Sequence, residues 1–243
     1  HYLHQKNWKR WMKDAAGFTC VSEAMNQHLN ALFHKNSTVI YNGFEAAEIC
    51  SYPPFDVFTI TLVGTLVEWR QLDIILGGIS AFYKNINPVS TVIIAGVHPL
   101  TEMYLKTALR ASGLEDDPRV EIHPRIARQK ALEITGRAHI NAIPPAVGFQ
   151  GVYSSRVFEF LASGNHVLVA PRGDEALDRL VGAAPNGKIA SDIQEVANYL
   201  QRMYERHCAG EILRCEVGPS EYTRAKQAER MAQFISRTLS NTR

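Results

Sequence analysis

The chain has 243 residues, of which 46% are hydrophobic and 21% charged, which is enough apolar side chain to bury a core and too much for a disordered chain. Twenty-six Lys and Arg against 24 Asp and Glu leave a formal charge of +2, which argues against a nucleic-acid-binding surface and a polybasic membrane anchor but leaves small anionic ligands open. At roughly 150 residues per domain, the length suggests one large domain or one and a half.

The chain opens on His1 rather than Met, so a fragment or a processed form is expected. Residues 1–13 carry Lys6, Lys9, Arg10 and Lys13 with Trp8 and Trp11 and no acid. That segment reads first as a helix packed on its parent domain, and second as a peripheral contact with an anionic membrane surface. A strand over Phe18–Ser22, a helix over Glu23–Phe33, a strand over Thr38–Tyr41 and an Asn42-Gly43 turn follow, as expected at the end of a preceding α/β domain. Ser51-Tyr52-Pro53-Pro54 then interrupts regular structure, because adjacent prolines remove backbone donors.

Beyond it, short β-branched apolar runs alternate with amphipathic stretches, the pattern of βαβ units around a parallel sheet. Strands are expected at Val57–Val63, Ser90–Ala95, Val120–His123, His139–Ile143, His166–Ala170 and Lys188–Ala190. Helices are expected at Leu72–Asn85, Leu100–Ser112, Ala127–Gly136, Ser154–Ser163, Glu175–Val181, Asp192–His207 and Glu221–Leu239. The fold class is therefore α/β, a doubly wound Rossmann-like parallel sheet preceded by the end of another α/β domain. Its boundaries are expected at 1–50 for the closing segment and linker, 51–210 for the doubly wound domain and 211–243 for a C-terminal helix. No apolar run reaches the ~18 to 20 residues that span a bilayer. Cys20, Cys50, Cys208 and Cys215 lack zinc-type spacing and are expected to be buried free thiols in a reducing, cytoplasmic environment. No metal is assigned.

Ligands of open α/β sheets bind at the carboxyl ends of the strands, so the candidate site lies there. In Gly148–Gly164, Gly151 loosens the backbone ahead of Ser154 and Ser155, either of which could cap a helix carrying Arg156 and Glu159. Such a helix start suits a diphosphate, and Glu159 one turn in could accept hydrogen bonds from two ribose hydroxyls. The same residues serve equally well as a cap and a dipole-complementing acid. Gly64 ends a strand and permits close approach of a ligand; Arg70, just before the next helix, could pair with phosphate or remain a surface charge. Arg125, after the strand ending at His123, could face a base or a phosphate, although a solvated surface role is favoured.

These residues resemble the carboxyl-terminal, donor-binding half of a GT-B fold glycosyltransferase of the group 1 type. Thr19-Cys20-Val21-Ser22-Glu23 and Val39-Ile40-Tyr41-Asn42-Gly43-Phe44-Glu45 look like the end of an acceptor domain. Val63-Gly64-Thr65 with Trp69-Arg70-Gln71-Leu72-Asp73 resembles the glycine loop and its phosphate-binding basic position. Ser154-Ser155-Arg156-Val157-Phe158-Glu159-Phe160-Leu161-Ala162-Ser163-Gly164 resembles the donor-binding helix, and Tyr222-Thr223-Arg224 opens a helix similar to the one that crosses back.

The resemblance implies that Glu159 binds the nucleotide ribose and that backbone groups near Gly151, Val152 and Tyr153 cradle the diphosphate. It implies that Arg70 neutralises the departing diphosphate, with Gly64, Thr65, Arg125, Ser154, Ser155 and Arg156 also around the donor. The partners implied are a nucleotide-sugar donor, UDP- or GDP-linked, and a glycan or lipid-linked acceptor. Transfer would proceed with retention in polysaccharide biosynthesis, with no metal and no cofactor beyond the nucleotide-sugar substrate. Three positions depart from the pattern: Thr65 stands where arginine is frequent, Gly151 where a second glutamate is frequent, and Gln71 where glycine is frequent. Two rivals share the fold: a nucleotide-sugar epimerase, and a catalytically silent nucleotide-binding module, which Thr65 and Gly151 keep open.

Overall fold

The computed structural model describes residues 10–66, 70–146, 148, 151–152, 154–215 and 220–240. Six parallel strands form the main sheet: β3 (Phe58–Val63), β4 (Ser90–Val97), β5 (Val120–Pro124), β6 (Ile140–Ile143), β7 (His166–Val169) and β8 (Gly187–Ile189). Their spatial order is β5-β4-β3-β6-β7-β8. All six residues of β3 are buried, as a central parallel strand covered on both faces requires. A smaller parallel sheet precedes it, formed by β1 (Gly17–Cys20) and β2 (Asn36–Val39) around α1 (Glu23–Phe33).

The strands appear where the β-branched runs placed them, within a few residues at each end. Six further helices connect them: α2 (Asp73–Ile86), α3 (Glu102–Ser112), α4 (Arg128–Arg137), α5 (Arg156–Ala162), α6 (Glu175–Gly182) and α7 (Ile193–Cys208). The last helix is α8 (Arg224–Ser240). Two helices start late relative to the sequence pattern, because Pro99–Thr101 and Ser220–Tyr222 wind as 3-10 turns first.

Side-chain alternation in the strands divides the core. Phe58, Ile60 and Leu62 pack with Ile75, Leu76 and Ile79 of α2 and Val196 and Leu200 of α7 on one face. On the other face Val157, Phe158 and Leu161 of α5 pack with Val167 and Val169 of β7 and with Leu177 and Val181 of α6. The buried Thr61 hydroxyl donates to Asn141 Oδ1 at 2.6 Å, and the Asn141 amide donates to the Thr135 carbonyl at 3.1 Å, so these polar groups are satisfied inside the core.

The small sheet is tied to the rest by α8 and an aromatic cluster. Asn36 Nδ2 donates to Thr238 Oγ1 at 3.3 Å, and the Tyr41 amide donates to Gln227 Oε1 at 2.9 Å. Phe44 exchanges backbone hydrogen bonds with Tyr222 and Arg224. Tyr41, Phe158 and Tyr222 meet with ring centroids 5.1 to 5.6 Å apart, joining the small sheet, α5 and the segment before α8 in one cluster.

One sequence expectation needs adjustment. Of the four free cysteines only Cys20 is buried; Cys50 and Cys208 are exposed and Cys215 is intermediate, because Cys50 lies in the connector after β2 and Cys208 ends α7. Most of the basic aromatic segment lies outside the described residues, and within them Trp11 is exposed. Among the described residues no helix is long and apolar enough to cross a membrane.

His139, at the start of β6, is buried, and its Nδ1 accepts the Thr59 amide hydrogen at 3.0 Å. Burial, reinforced by the nearby His207 and Arg214, pushes its pKa from the ordinary 6.5 down to about 4. The unfolded chain therefore binds a proton in this interval that the folded chain does not. The stability held above pH 6.5 is expected to be lost progressively as pH falls towards 4, and urea unfolding across that range checks it. His139→Gln should flatten the slope, and an unchanged slope would contradict the assignment.

Candidate donor-binding site

The strand order places the topological switch between β3 and β6: the chain steps outward from β3 to β5 and then returns to β6 on the other side of β3. Ligands of doubly wound sheets bind at such a switch, outside the carboxyl ends of the strands. A narrow crevice with about 30 Å³ of free volume lies there, lined by Gly64, Thr65, Arg70, Pro144, Ser154 and Phe160 among others.

Gly64 and Gly96 shape its floor. The Gly64 amide donates to the Ala95 carbonyl at 3.0 Å, and β4 bulges between Ala95 and Val97. A side chain on Gly96, whose φ is +99°, would meet the Gly64 carbonyl oxygen at 2.4 Å. Only glycine lets the two backbones approach this closely.

Arg70 is anchored to the loop after β6. Its Nη1 donates to the Pro144 carbonyl at 3.0 Å, and its backbone bridges Ala146. The Tyr104 hydroxyl donates to the Arg70 carbonyl oxygen. Burial lowers the Arg70 pKa, and the charge of Asp174 opposes that shift. A desolvated guanidinium held at a strand rim attracts an anion far more strongly than one in water.

The second guanidinium belongs to Arg156. Its Cδ and Nε lie 3.8 and 4.0 Å from where a side chain on Gly64 would begin, so it lies over the glycine loop. Burial lowers its pKa; Glu159 opposes the shift, and Arg128 adds to it. Glu159, 5% exposed, receives Arg128 Nη2 on Oε1 at 2.9 Å, and Arg156 Nη1 stands 3.5 Å from Oε2. Among the described residues neither that Nη1 nor that Oε2 has a hydrogen-bond partner, and both are buried. Buried polar atoms left in this state call for a reason; neither Arg156 nor Glu159 lines the crevice itself, and Arg156 lies beside it over Gly64.

The helix-start expectation takes a different form. α5 has only seven residues, and the residue before it, Ser155, is itself helical and makes no side-chain capping bond. Ser154 Oγ accepts the Arg156 amide hydrogen at 3.3 Å instead, so one of the few free amides is already used. The positive charge at this rim therefore rests on the two guanidinium groups more than on a helix end.

Gly151 is engaged elsewhere. Its amide donates to both carboxylate oxygens of Asp174, at 3.1 and 3.0 Å, and with φ at +72° it lies against Ser22, where a side chain would meet the hydroxyl oxygen at 2.4 Å. Its N–H is thus bound to a carboxylate and not offered to a diphosphate. Val152 and Ser155 are exposed on the same loop, and Tyr153 lies outside the described residues. Arg125 is exposed just past β5, two strands out from β3, and does not line the crevice.

Three residues that matter here carried no local sequence signal for this role. Asp174, nearly fully buried, caps α6 through the Ala176 and Leu177 amides, both at 3.1 Å, while holding Gly151. An aspartate before a helix is a readable cap, but its hold on a loop 23 residues away is not. Arg128 starts α4 and reaches Glu159, and its partner Glu48 lies 80 residues before it.

The fold and site thus define a doubly wound, Rossmann-like domain with the Arg70 guanidinium in the crevice at its switch point, Arg156 beside it and a buried carboxylate next to Arg156. No protein-family profile and no curated protein sequence matches the chain. Solved structures do. Anabaena HepE, solved with UDP and glucose, superimposes with a TM-score of 0.68 at 18% identity over 99% of this chain and 68% of its own. WaaG, a glycosyltransferase involved in lipopolysaccharide biosynthesis, gives 0.61 at 11% identity over 78% of this chain and 54% of its own. Staphylococcus aureus TarM, solved as a variant with Fondaparinux, alpha-GlcNAc-glycerol and UDP, gives 0.68 at 15% identity over 95% and 46%. The chain therefore has the fold of the group 1-type GT-B glycosyltransferases, and it spans less than two thirds of the length of WaaG and of TarM.

Asp174→Ala removes a helix cap and the anchor of Gly151 together. It is expected to lower stability by about 2 kcal/mol in urea titrations; a loss under about 0.5 kcal/mol, the size of an ordinary surface substitution, would show that the buried carboxylate does not hold the loop.

Proposed function

We propose that this chain is the donor-binding part of a glycosyltransferase that moves a sugar from a nucleotide-diphosphate sugar, UDP- or GDP-linked, to a glycan or lipid-linked acceptor with retention. The observation that carries the reading is the set of partly or fully buried, incompletely bonded groups at the switch point and beside it. Arg70 and the orphaned Nη1 of Arg156 suit the diphosphate, and the orphaned Oε2 of Glu159 suits a ribose hydroxyl. UDP in the HepE and TarM structures makes it the first nucleotide to try.

In this reading the sugar–phosphate bond breaks with negative charge accumulating on the diphosphate. Arg70 is the catalytic group: a planar, permanently charged donor fixed to the Pro144 carbonyl, already oriented when that charge develops. Arg156 shares the charge, and the close backbones of Gly64 and Gly96 leave room for the phosphates. Glu159 holds the ribose and so sets where the bond to be broken lies. Peripheral membrane contact and a role in polysaccharide assembly belong to the same proposal.

One observation favours a silent nucleotide-binding module instead: Gly151 offers no carboxylate to a donor sugar, and its amide is taken by Asp174. Calorimetry with UDP, GDP and ADP tests the donor site. One of the first two is expected to bind, with Glu159→Ala and Arg70→Ala each weakening it by about tenfold or more. Absence of binding to all three, or binding indifferent to both substitutions, would overturn the donor site.

A further inference from the structure

Glu159 and Arg156 stand three residues apart on α5, where opposite charges ordinarily close into a hydrogen-bonded pair. They do not close. Arg156 Nη1 stays 3.5 Å from Glu159 Oε2, and both atoms are buried without a hydrogen bond. The opposite edge of the same carboxylate is occupied by Arg128, whose Nη2 lies 2.9 Å from Oε1. Arg128 is in turn gripped by Glu48: Nη2 also donates to Glu48 Oε2, and Nε donates to Glu48 Oε1 at 3.4 Å. Glu48 ends the 3-10 turn Ala46–Glu48 in the connector between the small sheet and the main one, so the connector fixes the guanidinium from outside α4.

We infer that Arg128 is a positioning residue: by taking Oε1 of Glu159 it keeps that carboxylate from collapsing onto Arg156, which leaves Oε2 for a ribose hydroxyl and Arg156 Nη1 for a phosphate oxygen. Glu48 anchors Arg128 in that task. An ionised carboxylate has about four lone-pair sites, so the bond to Arg128 does not exhaust its capacity to accept. Without Arg128, the nearest cation to Glu159 is Arg156, and the unsatisfied pair would close, since leaving both groups unbonded in a buried site is costly. Closure would remove the ribose acceptor and a phosphate donor at once. This inference rests on reading the crevice as a nucleotide-diphosphate site.

The test compares UDP with 2′-deoxy-UDP by calorimetry on the chain and on Arg128→Gln, Arg128→Lys and Glu48→Gln. The parent is expected to prefer UDP by about tenfold, the worth of a hydrogen bond to a charged acceptor. Arg128→Gln should cut that preference to about twofold or less while weakening both ligands. Arg128→Lys should restore part of it, and Glu48→Gln should move the ratio the same way by less. A general loss of structure would lower both affinities without altering their ratio, so the ratio isolates positioning. Because Arg128 is half-exposed at a helix start and Glu48 lies in a connector, both variants should fold, which thermal unfolding checks.

A ratio unchanged in both Arg128→Gln and Glu48→Gln overturns the inference, as does tighter UDP binding by Arg128→Gln, which would make Arg128 a competitor of the ligand. Either result leaves the donor site standing. A parent chain that does not distinguish the two nucleotides, or binds neither, defeats the ribose role of Glu159, and this inference falls with it.

Discussion

Two partly buried guanidinium groups at the junction of β3 and β6 are the constraint around which this site is built. Burial works against the charge of both Arg70 and Arg156, and among the described residues neither meets a carboxylate in a hydrogen-bonded pair that would settle that cost. Arg70 donates to a neutral carbonyl, and Glu159 stands 3.5 Å from Arg156 Nη1, an ion pair without a hydrogen bond. Partly buried cations left this way concentrate positive charge locally in a chain whose formal charge is only +2, so the proposed anion binding rests on placement and not on the overall field.

The fold supplies that placement. A central strand buried on both faces, a bulge that brings two glycine backbones together, and a return crossover to β6 deliver Gly64 and Pro144 to one rim. The carboxylate of Asp174 holds the Gly151 loop from the other side, against the start of α1. The aromatic contact of Tyr41, Phe158 and Tyr222 then links α5, which carries Arg156 and Glu159, to the small sheet and to the segment before α8. A change in how the small sheet sits would thus be felt at α5, because packed side chains transmit displacement.

Much of this architecture was legible in the residues. Parallel strands read as continuous β-branched runs because both faces are buried, and every strand of the main sheet lies within a few residues of such a run. Local patterns also led to Gly64, Arg70, Arg156 and Glu159, since each sits at or near a strand end or a helix start. What escaped was relational. Glu48 and Arg128 are 80 residues apart, and Asp174 holds an amide 23 residues away; no periodicity encodes such pairs. Arg125 shows the converse: its local setting after a strand matches that of Arg70, yet the strand order carries it to the outer edge of the sheet. The length of α5 was also beyond local reading, because Ser154 and Ser155 are both good helix starters but the Arg156 amide bonds Ser154 before the helix is established.

The most direct measurement of the central claim is a crystal structure of the chain with UDP bound. The account predicts the diphosphate between the Gly64 loop and the guanidinium groups of Arg70 and Arg156, with a ribose hydroxyl on Glu159 and Arg128 still on the far edge of that carboxylate. Nucleotide seated elsewhere, for instance in the polar groove between α1 and α6 lined by Glu23, Tyr41 and Arg179, with the crevice at β3 and β6 unchanged, would contradict it.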